Sequence, residues 1–153
     1  VSRLGVADPP LVDYVSELLV RFLRSDIVYR IRDLAGRRLE EVAGMMTEAE
    51  QRIGDARRDI HQHVGDYTLF WSGLYPEALP HLQNERKQDH LVDYREQGKR
   101  AYYIASTIPA DDSSAEGDVL RRLSDEFELC VYGLGEVRRE WERRDGEMPG
   151  ILN

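Results

Sequence analysis

Asp59, His63 and Asp66 recur at i, i+4 and i+7. At 100° per residue on a helix they form one stripe. An imidazole between two carboxylates can do chemistry. Neutral imidazole and carboxylates ligate a divalent metal, and a carboxylate accepting the ring N–H can orient it as a general base. One helix supplies only part of a coordination sphere, so a site needs a donor from a second helix. Glu126, beside Leu129 and Cys130 on the border of its own apolar face, is that donor. Asp59, His63, Asp66 and Glu126 are therefore the candidate metal ligands. The plainer explanation is two i,i+4 surface pairs, Asp59 with His63 and Arg122 with Glu126.

Aromatic residues gather in the same region: Tyr67, Phe70, Trp71, Tyr75, Tyr94, Tyr102 and Tyr103. Tyr67 and Tyr102 are the candidates for lining a cofactor or small-ligand pocket. The alternative is an aromatic core whose hydroxyls reach the surface.

Other chemistry has little support. Cys130 falls in an apolar seam, as an inert core thiol does. No G-x-S-x-G is present, and the glycines form neither a G-x-x-x-x-G-K nor a G-x-G-x-x-G loop. The Glu-x-x-His element of di-iron bundles is missing as well. No residue is assigned a catalytic role, and the chain reads as a binding protein rather than an enzyme. No cofactor is expected, with a divalent metal as the alternative.

The elements that must position these residues are helical. Asp8 can cap a first helix with Pro9 at its first position, and Leu11, Val15, Leu18 and Phe22 form its apolar stripe. Ser25-Asp26 can cap a short helix carrying Ile27, Ile31 and Leu34, with Gly36 as its stop. Leu39, Val42, Met46, Ala49, Ile53, Ala56 and Ile60 then recur at alternating spacings of 3 and 4. With no proline from Arg37 to Tyr75, the pattern predicts one long central helix over about 38–75, roughly 57 Å long. Thr47-x-x-Glu50 resembles a capping box, which makes a break near Gly44 the alternative.

The face opposite this seam is charged before Ile60 (Glu40, Glu48, Gln51, Arg58) and small or apolar after His61 (Gly65, Leu69, Gly73). The second half should therefore be buried on both sides. Pro76 ends the helix, and a short helix can begin at Pro80. Asp89 can cap a helix over about 90–107 with a face of Leu91, Tyr94, Gly98, Ala101, Tyr102 and Ala105. Ser113-x-x-Glu116 is a capping box for a last helix over about 114–144, which carries Val119, Leu123, Phe127, Cys130, Leu134, Val137 and Trp141. No stretch alternates with period 2 long enough for a strand. The fold class is all-α, a helical bundle of four main helices plus one or two short ones. Residues 1–153 form a single domain with loose ends at 1–7 and 145–153.

Composition narrows the function. With 153 residues and 41% hydrophobics, the chain can bury a core. Lys plus Arg number 21 against 29 Asp plus Glu, a formal charge of −8, which opposes nucleic-acid binding. No apolar run approaches the ~18–20 residues of a membrane span, and no secretory leader opens the sequence at Val1. The lone Cys130 rules out an internal disulfide and fits a cytoplasmic setting. The Leu39–Ile60 seam would be sealed by a second copy of the chain. The leading expectation is thus a homodimer working through protein–protein contact, and the alternative a metal- or small-ligand-binding bundle with its site around His63.

Overall fold

The computed structural model describes residues 9–23, 42–78, 91–109 and 117–147. Among them it is all-α, with six helices: α1 (Pro9–Phe22), α2 (Val42–Glu50), α3 (Gly54–Leu74), α4 (Leu91–Thr107), α5 (Gly117–Asp125) and α6 (Phe127–Glu147). One turn of 3-10 helix, Pro76–Ala78, follows α3. The expected short helices at 26–35 and after Pro80, the caps at Asp89 and Ser113, Leu39, the loose end at 1–7 and all of the loose end expected at 145–153 beyond Glu147 lie outside the described residues; residues 145–147 are helical, as the last turn of α6, rather than loose.

The single helix expected over 38–75 is two helices. α2 closes with tightened turns, in which the amides of Gln51 and Arg52 donate to the carbonyls of Glu48 (3.0 Å) and Ala49 (3.1 Å). Ile53 is extended at φ −130° and ψ 163°, and Gly54 starts α3 at φ +60°. A side chain at that φ would clash with its own backbone, so only glycine takes it at little cost. The seam's 3-4 spacing runs unbroken across the junction because Ile53 holds the phase of the pattern while pointing into solvent. The break is therefore not near Gly44, and Thr47 caps nothing there: its hydroxyl donates back to the Ala43 carbonyl at 3.0 Å. The helix expected over 114–144 is likewise divided at Glu126. Its backbone stays bonded on both sides, from the Glu126 amide to the Arg122 carbonyl (2.8 Å) and from the Cys130 amide to the Glu126 carbonyl (3.0 Å).

The bundle is organised around α3, which packs most extensively on α4 and also meets α6, α2 and α1. From His63 to Phe70 every residue of α3 is buried, as a helix with small or apolar residues all round requires. Two glycines set the α3–α4 spacing. A Cβ on Gly65 would come within 2.6 Å of the Tyr102 ring, and one on Gly98 would fall on the Thr68 hydroxyl and within 2.9 Å of Phe127. The expected stripes are buried: Leu11, Val15, Leu18 and Phe22 on α1, Tyr94, Ala101, Tyr102 and Ala105 on α4, and Leu123, Phe127, Cys130 and Leu134 on α5 and α6.

Two charged residues of the supposed outer face are inside. Glu48 is buried and bonded to Arg52 at 2.8 Å. Arg58 is only 1% exposed, and its Nε donates to the Ile108 carbonyl at 3.2 Å, just beyond the C-terminus of α4. Arg138 does the same for α3: it donates to the Leu74 carbonyl at 2.8 Å and to Glu77 at 2.7 Å. Cationic side chains at helix C-termini satisfy carbonyls left open by the last turn.

Candidate functional site

The polar centre of the bundle is Asp66. It is 2% exposed and sits midway along α3. Two tyrosine hydroxyls donate to its Oδ1: Tyr14 of α1 at 2.7 Å and Tyr102 of α4 at 2.6 Å. Gln62, one turn earlier on α3, donates to the Tyr14 oxygen at 2.9 Å. The Arg21 guanidinium approaches Oδ2 at 3.6 Å. Burial raises the pKa of both phenols well above the ordinary tyrosine value, and the charge of Asp66 raises it further. Both therefore stay protonated and keep donating. Three helices converge here, and the carboxylate they share has its hydrogen bonds made. Such a network fixes the packing of α1 and α4 on α3.

Of the expected metal set, the structure gathers little. His63 is buried beside Phe22 (ring centroids 5.7 Å) and Tyr67 (6.0 Å). Asp59 lies on the same stripe but is exposed, as is Glu126 at the α5–α6 turn. The stripe is straight, but the cover over it is not. Near Asp59 only one side of α3 is packed, whereas at Asp66 every side is. Among the described residues no group of three or more His, Cys, Asp or Glu side chains could hold a metal. Arg122, the expected neighbour of Glu126, pairs with Asp118 at 2.9 Å.

Tyr67 and Tyr102, the expected pocket-lining pair, are both fully buried. Tyr102 is committed to Asp66, and its ring packs on Phe127 at 6.1 Å. Tyr67 continues into Trp71, Phe70 and Tyr75 as a chain of edge and tilted ring contacts. Cys130 is buried in the core seam and forms no disulfide.

The spacing of His63 and its acids draws attention away from other groups. Tyr14 and Arg21 each follow a stripe residue, Leu11 and Leu18, by three positions, which places them on the edge of the α1 stripe, where a polar side chain can reach inward. That periodicity was a signal for them. His61 heads the small or apolar face that continues at spacing 4 through Gly65, Leu69 and Gly73, and that face was its signal. It is 2% exposed, and neither ring nitrogen has a hydrogen-bond partner among the described residues. Burial, with Arg57 and Arg100 nearby, lowers its pKa from 6.5 to about 4, so the ring is neutral. The Ser72 hydroxyl, the Trp71 indole N–H and the Tyr94 hydroxyl are buried without partners too.

Comparison with protein-family models, with curated proteins and with solved structures gives no match. Among the described residues no helix is long and apolar enough to cross a membrane.

Proposed function

We propose that this protein binds a small molecule along α3, and that the helical bundle is the scaffold that holds it. One observation carries the reading: the α3–α4 core holds buried polar groups with no partner among the described residues, namely both nitrogens of His61, the Ser72 and Tyr94 hydroxyls and the Trp71 indole N–H. Folded proteins satisfy nearly all buried polar atoms, and each one left open costs about 1–3 kcal/mol. The same core satisfies Asp66 through donors from three directions. Unmade bonds beside a network so well made fit groups kept for a ligand. Native mass spectrometry of freshly purified protein tests this. A mass excess of one small molecule per chain supports the reading. A bare chain that also gains no thermal stability from a broad metabolite set refutes it.

Homodimerisation, the leading expectation from sequence, keeps one supporting observation. Most of the seam is covered within the chain, since Val42, Ala49 and Ile60 are buried and Met46 is half-buried. Ile53 is 86% exposed, however, and Ala56 beside it is exposed as well. A second copy docking there would cover both. Light scattering of the wild type and Ile53→Asp tests it: a dimer mass that falls to a monomer supports the dimer, and a wild-type monomer refutes it. Cys130, buried and in no disulfide, suits work in the cytoplasm.

A further inference from the structure

Among the described residues most arginines of this acidic protein meet an acid. Those of α5 and α6 all meet carboxylates, as Arg122 does with Asp118 and Arg138 with Glu77 and Glu142. Arg57 and Arg100 do not: neither has a hydrogen bond or an ion pair among the described residues. In a chain carrying −8 net charge, a cation without an acid is the exception.

These two cations share a location. Arg57 precedes His61 by one helical turn, which puts both on one face of α3 about 5–6 Å apart at Cβ. Its Nε is buried and has no acceptor. Arg100 comes from α4, the helix packed most extensively on α3. The charges that act on His61 are those of Arg57 and Arg100, both positive. The imidazole they act on is 2% exposed, and its two nitrogens make no hydrogen bond among the described residues. Arg57 is half-buried and Arg100 exposed, and both are long side chains with no anchor among the described residues. These can swing to admit a ligand.

Building on the small-molecule reading above, we propose that Arg57, His61 and Arg100 form a binding site for a phosphate-like oxyanion. Two guanidinium forks present planar pairs of N–H donors to a tetrahedral oxyanion, and the imidazole supplies a further donor from beneath. The anion gives both arginines a counter-charge and gives the N–H of the neutral His61 ring an acceptor. A phosphorylated metabolite would be held by its phosphate here, with the rest of the molecule outside.

Isothermal titration with inorganic phosphate, at constant ionic strength against chloride, tests the site. One phosphate per chain is expected. Arg57→Gln and Arg100→Gln should each weaken it about tenfold or more, with circular dichroism showing the fold intact. Arg95→Gln, which alters an unpaired arginine nearer the opposite end of α4, should leave it unchanged. Phosphate binding that all three substitutions leave unchanged would show an adventitious ion only and overturn the site. If phosphate gives no heat while the purified protein carries another small molecule, the oxyanion site is overturned and the ligand reading stands. A bare chain deaf to phosphate and metabolites overturns both.

Discussion

The Tyr102 hydroxyl donates a 2.6 Å hydrogen bond to the Asp66 carboxylate across 36 residues of sequence. With the matching bond from Tyr14, it joins α1, α3 and α4 at one buried oxygen. Asp66→Ala should therefore cost about 3–5 kcal/mol, because it leaves two phenols and one arginine facing an apolar hole. Tyr102→Phe, which removes one charge-assisted bond and keeps the ring, should cost about 2 kcal/mol. Urea denaturation of the two variants and the wild type measures both. Equal stabilities would show that the network contributes nothing to the fold.

The neutral His61 makes stability pH-dependent. Its folded pKa, about 4, lies below the 6.5 of an unstrained histidine, so the unfolded chain binds the proton first as pH falls. Stability should hold above about pH 6.5 and decline toward pH 4, by roughly 2 kcal/mol between pH 7 and pH 5 from this residue. His61→Phe should flatten that slope. Melting curves across the range for both proteins give the comparison, and parallel slopes would contradict the assignment.

Glycine-to-alanine substitutions should act with opposite sign to the helix-propensity rule. Alanine in a helix interior ordinarily gains about 1 kcal/mol over glycine. Gly98→Ala would instead drive a methyl into Thr68 and Phe127 and should cost about 2–3 kcal/mol. Gly54→Ala meets no neighbour within 4 Å but must adopt φ +60°, for a cost of about 1 kcal/mol. Chemical denaturation separates the two causes, since a Gly54→Asn variant, tolerant of that φ, should recover much of the loss. Gains in either alanine variant would mean that the close approach or the left-handed turn is absent.

Arg58 should matter more than its charge class suggests. It is almost fully buried and bonded to the Ile108 carbonyl. Arg58→Ala should cost about 2–4 kcal/mol, through the cavity and the lost bond together. Arg58→Met, which fills the volume, should recover part of that. A near-neutral alanine variant in thermal denaturation would place Arg58 in solvent.

The sequence made the apolar stripes legible, and with them the all-α class and the burial of α3 after His61. Leu11 to Phe22 and Leu123 to Leu134 could be read because side chains at spacings of 3 and 4 share a face whatever lies opposite. The break at 51–53 was hidden for the same reason. Ile53 keeps the phase, and the helix is interrupted by backbone angles alone, the extended Ile53 and the positive φ of Gly54. At the site, the spacing puts Asp59, His63 and Asp66 on one stripe at the border of the apolar face, yet His63 and Asp66 are buried and Asp59 is exposed, because depth along a helix depends on which partners cover it. Tyr14, Gln62 and Arg21 meet Asp66 through tertiary packing that no local spacing encodes. His61 begins the small, apolar face that runs through Gly65, Leu69 and Gly73 and is buried with it, but no local pattern encodes that its ring nitrogens go without partners among the described residues.

The central claim is that the open nitrogens of His61 are kept for a ligand, and nitrogen-15 NMR of the histidine rings addresses it directly. Phosphate should shift the ring signals of His61 in a saturable way, and leave those of His63, His81 and His90 in place. In Arg57→Gln the shift should need markedly more phosphate. A His61 ring that phosphate does not move, in protein whose other signals show an intact fold, would contradict the account.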